Sequence, residues 1–547
     1  MNDSVGTNAR ISRRELCFVF AGFLLLTLTL TYPQIRHMTT RVGQGYDAEF
    51  SIWRLAWIAH QLPRDPRHLF DANIFFPARD TLALSDAMLL QGLLGAPLSW
   101  AGVPPIAVYN VLLLAAFVAS GAAMYVFARD LTGSSIAGWL AGAVFAFAPY
   151  RFGHYSHLEL LWAWPIPLAM RSFLRLVSGR RAKDAVWLAV FVALQTWSCL
   201  YYAVFLLMAL AIMTPVLVIG RSRREIAALA KRSLLAIVTA GVLIAPYAAP
   251  YLSTERDVHL RTEGEVAIWS PRWENFTTPT PRSWLYDRGR VVHNMEFVLF
   301  PGITALALAA VALWPPIDRR RLAFGVLLVV AVDLSLGTHG LAYLSLYRWI
   351  GVLRNLRVPA RLFILASAAL AVLGAEGCAR VLRAIRRPGL RVAIGAALIG
   401  LVLAESAAMP LDLRRLEPVP PLYSWIETQP PPIVLEWPLP EADSLGMTHE
   451  PTYMYYSIAH WHTLVDGYSG NYPPSYIELL DRLRTFPSDE SMRYLRQRSV
   501  DLVILHSEFD RRRYGEMRMQ LDRRTDVRLE RGGVSEHGEI AVYRMIK

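Results

Sequence analysis

Mostly apolar stretches of about 16 to 25 residues recur along the first three-quarters of the chain, long enough to cross a bilayer as helices. They fall near 16–32, 106–128, 134–150, 158–177, 185–200, 201–219, 233–252, 296–314, 322–337, 362–379 and 391–408, about eleven in all. The segments between alternate stretches are basic: Arg180, Arg181 and Lys183; Arg221 to Arg232; Arg319 to Arg321; Arg380 to Arg391. Together with Arg10, Arg13 and Arg14 they fall on one side, which the positive bias makes the cytoplasm. No small-residue cleavage signal follows the first stretch, so it reads as a retained span.

The outer side then receives loop 33–105, a turn around 150–157, loop 253–295, segment 338–361 and a tail from 409. In the first loop, residues 47–61 alternate at helical spacing, with Trp53 and Trp57 four apart. Residues 87–100 are apolar but only about 14 long. Both suit helices lying in the membrane interface. The tail opens on Pro418, Pro420 and Pro421, then shows strand-like runs at 433–437, 500–505 and 539–543 and a helical stretch at 475–483. The expected architecture is an α-helical polytopic membrane protein over 1–408, with loop 33–105 as its first outer loop, and a small α/β extracytoplasmic domain over 409–547.

Composition fits this picture: the 547 residues are 54% hydrophobic and 18% charged, less charge than a soluble protein of this size carries. The net charge of +12 is almost all arginine, since lysine stands only at 183, 231 and 547. The excess sits in short loops and reads as topology, so no nucleic-acid partner is expected. Cys17, Cys199 and Cys378 lie in apolar segments with no paired set, which argues against a disulfide scaffold or structural zinc. No Walker loop, dinucleotide-binding glycine turn or Gly-x-Ser-x-Gly elbow is present.

Candidate chemistry gathers at the outer surface. Asp47, in Gly43–Trp57, is a carboxylate at a membrane rim, where an enzyme using a lipid-carried substrate keeps its base. It also reads as the N-cap of a helix over 48–61. Glu49 is a first-turn acid, with substrate or metal as the alternative. Ser85 or Asp86 caps the second short helix, with a second active-site acid as the alternative for Asp86. Arg151, His154, His157 and Glu159 crowd one turn. The two histidines are spaced to share a face and are candidates for substrate or a divalent cation, although Mg²⁺ and Mn²⁺ favour oxygen ligands. Glu159 lies within an apolar run and faces an interior or a water boundary. Arg354, Arg357 and Arg361 form an outer-side arginine cluster that runs against the positive bias; it suits a phosphate group or lipid headgroups. Glu296 complements a helix start, and Asp333 seeks a partner in the cluster at 354–361 or in His339. Arg256, Arg261 and Trp269 close over a substrate or are inert.

Four short motifs carry a resemblance: Gly45-Tyr-Asp47 with Trp53 and Trp57, Leu69–Pro77, Arg357-Val-Pro-Ala-Arg361 and Asp466–Gly470. Together with the layout they resemble bacterial members of the GT-C superfamily of membrane glycosyltransferases. The resemblance implies a catalytic acid at the position of Asp47 and a second acid from the region of Glu159. It also implies a donor phosphate held by the arginines, a divalent cation in some members, and a polyprenyl-phosphate sugar donor. The acceptor is then a glycan, lipid or protein at the outer face of a bacterial inner membrane. A glycan polymerase or ligase of another fold, and a lipid-linked glycan transporter, remain the rival readings.

Overall fold

The computed structural model describes residues 11–179, 181–254, 261–286, 289, 292, 294–441 and 449–546. Arg10, Arg180 and Arg256 lie outside the described residues. The chain divides into two compact units. One, here the helical unit, comprises Met1–Met38, Asn110–Pro246 and Leu260–Leu413; the other, the sheet unit, comprises Thr39–Tyr109, Tyr247–His259 and Arg414–Lys547.

Each predicted apolar stretch is largely helical. Among the described residues, five helices are long and apolar enough to cross a membrane: Pro105–Thr132, Leu200–Val218, Arg223–Thr254, Pro359–Ala384 and Pro388–Ser406. Others are short, such as Ser135–Ala146 and Ile303–Ala312. Arg13–Leu30 is long, but its first turn is charged. The centre of the helical unit is Phe363–Ala384, almost wholly buried and rich in alanine and glycine. Small side chains let neighbouring backbones close in. A Cβ on Gly377 would lie 1.9 Å from the Leu308 carbonyl oxygen, so helix Ile303–Ala312 packs directly on this face.

In the sheet unit, β1 (Arg41–Val42) pairs antiparallel with β2 (Arg414–Arg415). The main sheet uses β3 (Ile433–Trp437), β4 (Thr463–Leu464), β5 (Leu502–His506), β6 (Val527–Val534) and β7 (Glu539–Met545), in the order β4-β3-β5-β7-β6. Strand β3 runs parallel to β4 and β5, whereas β7 is antiparallel to β5 and β6. The β4 edge is completed by the first loop. Leu464 N–H donates to the Asn73 carbonyl (2.8 Å), Phe76 N–H to that of Leu464 (3.0 Å), and Phe75 N–H to that of Asp466 (3.1 Å). Two sequence motifs, Leu69–Pro77 and Asp466–Gly470, therefore form one piece of structure. A Cβ on Gly467 would meet Ile74 Cβ at 2.9 Å, which fixes the glycine there. The Asn73 amide donates to Ser457 Oγ (3.2 Å) and the His462 carbonyl (3.0 Å), and its oxygen accepts from Trp53 Nε1 (3.1 Å).

Helix Asp47–Gln61 departs from the interfacial expectation: nearly its whole length, including Trp53 and Trp57, is buried. Trp57 Nε1 donates to the Leu69 carbonyl at 2.8 Å. Its apolar face is consumed by protein packing, which periodicity alone does not distinguish from lipid contact. Helix Leu89–Trp100 does leave Leu93, Leu94 and Trp100 exposed.

Candidate functional site

In the sheet unit, Gly45 turns the chain with φ +90° just before Asp47. Only glycine takes that conformation without strain. The helix starts at Asp47 itself, with Tyr46 at the cap position and no side-chain cap bond. Asp47 is thus the first helical residue and not the N-cap; it stands half-buried at the positive end of the helix. Arg414 pins this turn: its guanidinium donates to the Gly45 carbonyl (3.0 Å), pairs with Glu49 (2.5 Å) and lies over the Tyr46 ring. Glu49 is fully buried, not a solvated first-turn acid. Burial pushes its carboxyl up, and the Arg414 charge pulls it part of the way back. Asp47 contributes to the field on Glu49, so the two acids share one locale.

Ser85 and Asp86 do not cap the second helix, which begins at Leu89 after Met88 in a left-handed conformation. Their carbonyls instead accept from Tyr251 Oη (3.1 Å) and Arg54 Nη1 (2.6 Å).

In the helical unit, Glu296 meets both Arg361 and His154, and the His154 and His157 rings lie edge to face with centres 5.6 Å apart. Glu296 is buried and pairs with Arg361 through Nη2 (2.5 Å) and Nε (3.1 and 3.2 Å). His154 Nε2 lies 3.5 Å from Glu296 Oε2, and burial pushes the imidazole down to about 3, so it stays neutral. Glu159 sits on the one-turn helix Leu158–Leu161 and is buried. Arg151 is fully buried beneath them, donating to the Ala146 and Leu161 carbonyls (3.0 and 2.7 Å) and to Ser120 Oγ (3.2 Å).

The three arginines of 354–361 have different surroundings. Arg354 donates to the carbonyls of Tyr347 (3.4 Å) and Arg348 (2.7 Å). The half-buried Arg357 guanidinium lies over the Trp269 ring, 5.0 Å from its centre. Arg361 lies over the Tyr201 ring at 5.0 Å, and the Tyr201 hydroxyl accepts from the Arg357 backbone N–H at 3.0 Å. Asp333 meets neither the arginines nor His339. Its carboxylate accepts from the Leu341 and Ala342 N–H groups (2.7 and 3.0 Å), holding the turn after its helix. For a cation, the described residues able to converge on one ion are Glu417, Glu536 and His537; Asp47, Glu49, His154 and His157 are not in that group.

The similarity of the whole fold decides its class. The mycobacterial arabinofuranosyltransferase AftD superposes with a TM-score of 0.64 at 16% identity, over 98% of this chain and 40% of AftD. The Archaeoglobus fulgidus oligosaccharyltransferase superposes with a TM-score of 0.50 at 12% identity, over 92% of this chain and 71% of that one. The chain has a GT-C-like fold. It spans about two-fifths of the length of AftD. No family model matches this chain, and no curated protein matches it.

Sequence reasoning did not place Glu296 and Tyr201 beside the arginines of 354–361. The acid at the mouth of an apolar stretch was visible; that it faces Arg361, 65 residues away, was not.

Proposed function

We propose that this chain is an inverting glycosyltransferase, multi-pass in a bacterial inner membrane, acting at the extracytoplasmic face on a polyprenyl-phosphate sugar. The observation supporting this reading is the fold similarity to AftD along 98% of the chain. Asp47 takes the proton from an acceptor hydroxyl as that oxygen attacks the anomeric carbon. The bond from that carbon to the phosphate oxygen breaks, its electron pair leaves with the polyprenyl phosphate, and one displacement inverts the centre. The arginine segment 354–361 supplies positive charge for the phosphate, and Glu159 orients substrate. The acceptor is a glycan, lipid or protein hydroxyl, and a divalent cation stays outside these steps.

The test is release of free polyprenyl phosphate by purified protein offered a panel of polyprenyl-phosphate sugars. Asp47→Asn is expected to slow release by about 10²-fold or more, with folding unchanged. Release at the parent rate would remove Asp47 as the base.

A further inference from the structure

The arginines of 354–361 look equivalent in sequence, but their neighbours separate them. Arg361 meets the buried Glu296 carboxylate along one edge, through Nε and Nη2, so its charge is already balanced. With that charge balanced, Arg361 attracts a second anion less strongly than an unpaired guanidinium does. Among the described residues, Arg357 has no carboxylate partner, and its guanidinium rests on the Trp269 face. A stacked guanidinium keeps its edge, with its N–H donors, open to a planar or tetrahedral oxyanion. The two arginines are joined by Tyr201: its ring lies under Arg361, and its hydroxyl takes the Arg357 backbone N–H.

Resting on the glycosyltransferase reading above, we propose that Glu296 and Arg361 are a positioning pair and that Arg357 alone binds the donor's phosphate. Glu296 fixes Arg361, Arg361 fixes the Tyr201 ring, and the Tyr201 hydroxyl sets the backbone from which Arg357 reaches. The neutralised Arg361 also stops the site from holding two phosphates' worth of positive charge, which would retain the anionic product after transfer.

Undecaprenyl phosphate serves as the probe, its affinity measured on full-length protein in detergent, with thermal unfolding run on every variant. Arg357→Gln is expected to weaken binding at least 10-fold. The paired Glu296→Gln/Arg361→Gln variant removes both charges and keeps hydrogen-bonding groups; its affinity is expected to stay within about 3-fold of the parent, with transfer slowed at an unchanged KM. Glu296→Gln alone strands the Arg361 charge and is expected to tighten product binding several-fold. Where Glu296→Gln fails to fold, Arg361→Lys, which keeps the charge and loses the fork, is expected to lower kcat and leave phosphate affinity near the parent. Loss of affinity in the paired variant equal to that of Arg357→Gln would make Arg361 a ligand and overturn the assignment. Parent-like affinity in Arg357→Gln would overturn it too. A parent that binds no polyprenyl phosphate would bring down the glycosyltransferase reading as well, whereas a binding parent with the wrong variant pattern sinks only the positioning pair.

Discussion

Glu296 in the helical unit and Glu436 in the sheet unit are both removed from solvent, yet they are stabilised by opposite means. Glu296 meets the Arg361 fork at 2.5 Å and persists as an ion pair. Glu436, on β3, meets no cation. Its partners are the Tyr423 hydroxyl at 3.0 Å and His506 Nε2 at 2.7 Å, at the end of the neighbouring β5. Burial pushes the Glu436 carboxyl well above the usual range and the His506 imidazole down to about 4, so the proton sits on the acid. Asp466, just past β4, accepts from the Glu436 backbone N–H at 3.0 Å and is pushed up as well. The chain is rich in arginine, so the contrast is not one of supply. A guanidinium balances Glu296, whereas at the ends of β3 and β5 the Tyr423 hydroxyl and the His506 ring meet Glu436.

This contrast can be broken first at the ion pair. Arg361→Ala strands a buried carboxylate and is expected to destabilise the protein by about 3–5 kcal/mol, read as a lowered unfolding midpoint in detergent. The next effect is pH. Free Glu436 and Asp466 carboxyls ionise near 4.5 and 3.8, while the folded ones keep their protons to higher pH. Their contribution is therefore complete below those values and drains as pH rises, by up to about 1.4 kcal/mol per pH unit for each group. His506 has the opposite sign, losing stability as pH falls from 6.5 toward 4. Glu436→Gln removes one draining group, so its stability relative to the parent is expected to improve between pH 5 and pH 8; an unchanged difference would mean the carboxylate is ionised in the fold. The smallest effect sharpens the same point: at pH 5, Glu436→Gln is expected to lie within about 1 kcal/mol of the parent, because the amide can replace a protonated acid as donor and acceptor.

Much of the framework was legible. Apolar runs marked the helices, and strand β3 appears at the strand-like run read there, 433–437. Strand β6 was hidden because it is an edge: Arg528, Glu530, Arg531 and two glycines leave no apolar period to read. The turn at Asp47 was legible as a place but not as a geometry. Its anchor, Arg414, stands 369 residues beyond the Gly45 it bonds, and a backbone hydrogen bond between β1 and β2 leaves no trace in local composition. The arginine cluster could be found by counting charge. Which of its members is already neutralised depended on Glu296, an acid whose local context suggested only a helix start.

The loop segment at 73–76 that bonds to β4 has a history in time as well as in space. Asn73 leaves the ribosome 389 residues before His462, whose carbonyl its side chain will bind. At ordinary bacterial synthesis rates that is a delay of about 20–80 s. During that interval the sheet's outermost rung is made but has no ladder to join, and a molecule cut short before residue 463 never acquires one. Newly made chains are therefore expected to stay vulnerable to proteases at this loop until about the last sixth of translation.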